Sequence, residues 1–194
     1  MKRKELYLEK TDEELVTLTL QNNKYYLYLM ERYEKKLLRY VMRISSLRKE
    51  DAEDVLQETF IKTYKNINDF DVSLKFSSWI YRIAHNETIN FLRKNRVLKN
   101  AINNAFNEGE VEELISEINQ EEEFESKILK DRVQDVLNKM NEKYKMVLVL
   151  KFIEEKDYKE ISDILQKPMG TVATLINRAK KQFRELAKKG GNNF

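Results

Sequence analysis

A single proline and four glycines interrupt the 194 residues of this chain, and two of those glycines fall in the last five positions. With so few residues that stop or kink a helix, long 3.6-residue patterns can run unbroken, and an all-α fold is expected. Apolar residues make up 41% of the chain and charged residues 36%, enough for modest cores but not for one large one. Two small helical domains are therefore expected.

Charge divides the chain in three. Residues 1–98 carry a net charge of +4, residues 99–126 a net −8, and residues 127–194 a net +7. The acidic middle is poor in apolar residues and reads as a flexible linker. Basic domains on either side of it suit a polyanionic partner, although a charge run is more often a solvated face. The absence of cysteine excludes disulfides and thiolate metal sites, and a sole histidine, His85, excludes a histidine metal cluster. No metal and no cofactor is expected. No run is apolar enough to span a membrane and no secretory signal is visible, so a cytoplasmic location is expected.

Helix signals punctuate the chain in order. Thr11 with Glu14 forms a capping-box signature, and helical patterning continues to about Ile44 with a break near Asn22. A second helix is expected from Asp51, its apolar stripe running through Ala52, Val55, Leu56, Phe60, Tyr64 and Ile67. Asp54, Gln57, Glu58, Ile61 and Lys65 lie off that stripe. Residues 68–75 read as a loop. The helix that follows, from Phe76 to about Arg96, has two chemistries. Ile80, Ile83, Ala84 and Phe91 can face a core, while Trp79, Arg82, Asn86, Asn90 and Arg93 share another face. An aromatic plane beside guanidinium and amide groups suits a nucleic-acid strand with exposed bases.

In the C-terminal part, helices are expected at 128–140 and 142–153, then a short one from Tyr158 to Leu165. Gln166 and Lys167 make a turn, and Pro168 sits where a first helical residue tolerates a missing amide hydrogen. A longer helix from Met169 to about Lys188 carries the core stripe Val172, Ile176, Ala179 and Phe183. Two helices across a tight turn, the second basic at Arg178, Lys180, Lys181 and Arg184, fit a helix-turn-helix, with a plain αα-hairpin as the alternative.

Three segments together resemble one family. DAEDVLQETF at 51–60, FSSWIYRIAHN at 76–86 and GTVATLINRA at 170–179 are similar to bacterial extracytoplasmic-function sigma factors, in this order and at this spacing. The resemblance covers nearly the whole chain outside the acidic linker. It implies sigma region two over residues 1–98, a linker over 99–126, and sigma region four over 127–194. It further implies no catalytic residues and no small-molecule substrate. The implied partners are core RNA polymerase, promoter DNA and an anti-sigma protein, commonly membrane-bound in the family. Asp54, Gln57 and Glu58 match the family's polymerase contact. Asp71, Ser73 and Lys75 lie in the loop that cradles a flipped minus-ten base in the family. Trp79, Arg82 and Asn86 match the helix beside it, and Asn90 and Arg93 continue that face. Thr171, Thr174, Asn177, Arg178, Lys180 and Lys181 fall on the expected minus-thirty-five side of the recognition helix.

The chain departs from the family at four places. Ile80 follows Trp79 where housekeeping sigma factors carry a second tryptophan, which implies a weaker duplex wedge. Ala173 and Leu175 stand where basic residues are common, and Gln166 replaces the usual glycine of the turn. The expected function is thus an alternative sigma factor, acting by binding. The other reading is a stand-alone helix-turn-helix regulator, and binding to core polymerase separates the two. An enzyme would need convergent titratable groups, and none is recognisable.

Overall fold

The structure, a computed structural model, describes Tyr7 and residues 9–103 and 132–190. Beyond residue 103, the acidic linker lies outside the described residues. The described residues form helices joined by short turns and loops, with no strand among them, in the order α1 (Asp12–Gln21), α2 (Tyr26–Ser45), α3 (Lys49–Lys65), α4 (Phe76–Asn103), α5 (132–138), α6 (Glu142–Leu148), α7 (Tyr158–Leu165) and α8 (Met169–Gly190).

Local chemistry accounts for most boundaries. Thr11 caps α1, its hydroxyl accepting from the Glu14 amide at 3.2 Å while Glu14 accepts from the Thr11 amide at 2.8 Å. Asn22 ends α1, and its side chain accepts from Lys24 to start a 3₁₀ turn, Asn23–Tyr25, that leads into α2. Helix α3 begins two residues before the expected Asp51, and Asp51 instead pairs with Arg48 at 3.2 Å in the first turn. Helix α4 runs past the expected end at Arg96 to Asn103, into the acidic segment. Asp157 and Glu160 form a second capping box at the start of α7. The expected continuous helix over 142–153 is instead α6 followed by a π-helical turn, Val149–Ile153.

Helices α1–α4 form the N-terminal unit. Leu29, Tyr33, Leu37, Tyr40 and Ile44 recur along one side of α2 and are all buried, against Leu15, Val16, Leu56, Phe60, Phe76, Ile80, Tyr81 and Ala84. Each such side chain contributes about 1.5–3 kcal/mol by leaving water. Thr59, Thr63 and Thr88 are also buried, and each hydroxyl donates to the carbonyl four residues back at 2.7 Å, so these three groups are paired, whereas the buried Ser78 hydroxyl has no protein partner. Tyr64, expected inside, is 43% exposed because the face it shares with Ile61 is uncovered.

In the C-terminal unit Leu137, Val147, Leu150, Ile161, Ile164, Val172, Ile176 and Ala179 are buried, as α6 and α7 both pack on α8. The two units are not held apart. Helix α7 packs on α4, and one apolar cluster runs through both.

Candidate polymerase and nucleic-acid interfaces

Helix α3 turns its apolar residues inward, which leaves Asp54, Gln57 and Glu58 together on the solvent side. Lys62 on the same helix reaches Glu87 of α4 at 2.7 Å and ties the two helices in register. Beside the polar face lies a cleft of about 390 Å³ lined by Asn23, Tyr26, Met30, Phe60, Ile61, Tyr64 and Lys65. Ile61 was already off the buried stripe by spacing, but the contribution of Tyr64 was not legible in the sequence, because Tyr64 fits that stripe.

The loop before α4 is ordered by its own residues. The Asp71 carboxylate accepts the Ser73 amide at 2.9 Å, and that hydrogen bond holds its pKa below the usual carboxylate value. The Asp71 carbonyl accepts the Leu74 amide at 3.0 Å. Phe70 and Phe76 close the two ends of the loop against Trp79, with ring centroids 5.0 Å and 5.7 Å from the indole. Trp79 thus packs within the protein as well as lying on the face expected to meet a strand. It is half-buried, and it anchors the loop. Arg82 is half-buried, while Asn86, Asn90 and Arg93 are exposed, and Arg93 donates to Asn90 at 2.5 Å. These residues share one side of α4 as the sequence pattern requires.

The first turn of α4 is capped from afar. The Phe76 amide donates to Glu13 of α1 at 2.9 Å, across 63 residues of sequence. Lys75, expected to face DNA, lies 3.5 Å from both Asp157 and Glu160 of α7. Glu160 first, with a smaller contribution from Asp157, raises its pKa. His85 is half-buried with its Nδ1 3.1 Å from the Tyr40 hydroxyl. Burial, with help from Lys167, lowers its pKa to about 4, so the ring is neutral. No group of three or more metal-ligating side chains occurs among the described residues.

Helix α8 presents the opposite case. Thr171, Thr174, Asn177, Arg178 and Lys181 are exposed along one side of it. The Thr174 hydroxyl bonds back to Gly170 at 2.9 Å. Lys180 departs from the expected exposed set: it is half-buried with its ammonium 5.1 Å over the Phe152 ring. Leu175 packs partly against the core, which explains an apolar residue at that position. Gln166 adopts a left-handed backbone with φ of 51°, and its side-chain amide donates to the Asp163 carbonyl at 2.6 Å.

A helix-turn-helix with a bare basic recognition helix shares this chain with a helical unit that sets an amide- and arginine-bearing helix beside a short loop. Together they define a two-part DNA-binding transcription factor. Residues 29–97 match sigma-70 region 2 and residues 130–183 match sigma-70 region 4. The chain is 38% identical over 144 residues to the ECF RNA polymerase sigma factor SigW of Bacillus subtilis, covering 70% of this chain and 77% of that one. It is 33% identical over 182 residues to the ECF RNA polymerase sigma-E factor of Haemophilus influenzae, covering 89% and 93%. It belongs to the extracytoplasmic-function sigma factors, and it is an alternative sigma factor that directs RNA polymerase to promoters. In fold it is similar to CnrH, solved with the cytosolic domain of CnrY (TM-score 0.68, 20% identity, covering 93% of this chain and 99% of that one). It is likewise similar to RpoE of Bartonella quintana, solved with the anti-sigma factor NepR (TM-score 0.65, 19% identity, covering 83% and 95%).

Proposed function

We propose that this sigma factor docks on core polymerase through Asp54, Gln57 and Glu58. In this reading Asp71, Ser73 and Lys75, with Trp79, Arg82, Asn86, Asn90 and Arg93, handle the opened minus-ten strand. Thr171, Thr174, Asn177, Arg178, Lys180 and Lys181 contact the minus-thirty-five duplex. The observation that carries it is the outer side of α3. A polar, acidic face next to an uncovered apolar cleft is a protein-docking surface, and it sits on the unit that also carries the strand-facing helix. A stand-alone regulator has no need of that pairing. The protein works by binding, without bond chemistry of its own, in the cytoplasm where polymerase is. Among the described residues no helix is long and apolar enough to cross a membrane, which accords with this. An anti-sigma partner is part of the proposal, supported by the fold shared with the sigma factor RpoE, solved in complex with the anti-sigma factor NepR.

The test is reconstitution. The full chain added to core polymerase should start transcripts at a defined set of promoters. Replacing Gln57 by Ala and Glu58 by Lys should weaken core binding with unchanged helicity, and unaltered affinity would remove the docking assignment. Asn86→Ala should impair binding to single-stranded promoter DNA more than to upstream duplex.

A further inference from the structure

Helix α4 supplies no side-chain cap of its own. The residue before it is Lys75, whose side chain has no acceptor. It cannot take a first-turn amide as Thr11, Asn141 and Asp157 do for α1, α6 and α7. The Lys75 carbonyl accepts the Ser78 and Trp79 amides at 3.1 Å and 3.3 Å. The Phe76 amide is left over, and Glu13 accepts it at 2.9 Å. That amide is the joint between the loop at 71–75 and the helix. A charged acceptor binds it more strongly than a neutral one, and the helix dipole favours the negative charge there.

Glu13 is itself held in place. Its neighbour Asp12 pairs with Arg32 of α2 at 2.6 Å and accepts the Tyr33 hydroxyl. On the other side, Glu14 accepts the Thr11 amide, and Leu15, Val16 and Thr19 seat α1 in the core. The first turn of α1 is therefore fixed on α2, and Glu13 passes that position on to the start of α4. The loop it steadies carries two bare apolar side chains, Val72 at 48% and Leu74 at 57% exposure. Their height above α4 depends on where the Phe76 amide is pinned, and a loop ordered before binding loses less entropy when it meets a ligand.

We infer that Glu13 is a positioning residue for minus-ten recognition: through the Phe76 amide it sets where the loop at 71–75 and the first turn of α4 meet the opened strand. It touches no base. Glu13 has this role only if the loop handles the strand as proposed above, and the experiment reads the loop and the strand separately.

Trp79 is the sole tryptophan, and it packs on Phe70 and Phe76, so its fluorescence reports the loop. In the free full-length chain without denaturant, Glu13→Ala should shift Trp79 emission to the red and raise its quenching by acrylamide. Glu13→Gln keeps an acceptor at the same reach and should match wild type in both. Core polymerase carrying each variant is then mixed with a pool of random single-stranded DNA, and the retained strands are sequenced. Glu13→Ala should lower the base preference seen with wild type about fivefold, the factor that a lost cap implies. Glu13→Gln should keep that preference. Should Glu13→Ala fail to fold, Glu13→Asp retains the charge and withdraws the acceptor by one methylene; it should still redden Trp79 and lower the preference about twofold. A lower unfolding midpoint with the native Trp79 spectrum and the base preference both unchanged overturns the positioning role. No base preference in the wild-type complex, with the Trp79 shift present, overturns the strand reading instead.

Discussion

The two units, each proposed above to present a helix to DNA, are built on different cores. The N-terminal core is aromatic: Tyr26, Tyr33, Tyr40, Phe60, Phe70, Phe76 and Tyr81 are all buried. The C-terminal core is mainly aliphatic. A buried phenol needs a partner, and each one here finds it at a set point. Tyr26 donates to the Phe60 carbonyl at 2.7 Å, Tyr33 to Asp12, Tyr81 to Glu154, and Tyr40 meets His85. Burial raises the pKa of all four tyrosines, so they stay protonated. Polar anchors of this kind fix the loop and α4 in one arrangement, which the base-holding role proposed for the loop requires. The C-terminal unit needs only to hold α8 straight, and aliphatic packing does that. Correspondingly, Lys75, Trp79 and Arg93 are already engaged within the protein, whereas Arg178 and Lys181 stand clear on α8.

The largest expected effect tests the aromatic core. Phe76→Ala removes a fully buried ring packed edge-on to Tyr33 and Phe70, and should cost about 3–5 kcal/mol in urea unfolding. A cost below about 1 kcal/mol would erase the contrast between the cores. Next in size is Arg178→Ala, expected to cost roughly 1–3 kcal/mol and to relax base preference at one or two positions of the minus-thirty-five element. Lys181→Ala should instead weaken all sequences about equally and lower the salt slope by about 1. A uniform loss from Arg178→Ala over single-base variants would make it a phosphate contact.

His85 sharpens the comparison at the seam between the units. Its pKa falls from an ordinary 6.5 to about 4 in the fold, burial being the main cause and Lys167 the lesser. Between those values the unfolded chain binds more protons, so stability should decline as pH drops from 7 towards 4. The loss should be about 1–2 kcal/mol once partial solvent contact is allowed for. The measurement is the difference between wild type and His85→Gln in urea titrations across that range, and parallel curves would rule the effect out. The smallest effect concerns the turn before α8. Gln166→Gly relieves a left-handed residue but loses the hydrogen bond to Asp163, for a net gain of about 0.5 kcal/mol in thermal unfolding.

What the sequence determined by itself is local or periodic. The capping box at Thr11, the break at Asn22, the turn before Pro168 and the α8 stripe of Val172, Ile176 and Ala179, with Phe183 half-buried at its end, depend on residues within one or two turns of each other. So does the exposed side of α3 at Asp54, Gln57 and Glu58, because helical spacing alone separates it from the core. Tertiary structure decided the rest. Spacing cannot tell that Tyr64 meets no neighbour, that Trp79 is taken up by Phe70, or that Glu13 caps α4 from 63 residues away. Nor can it place Glu154 against Tyr81, 73 positions apart. Those contacts arise from the shapes of whole packed units, where burial makes a partner for each polar group obligatory and only folding brings that partner within reach.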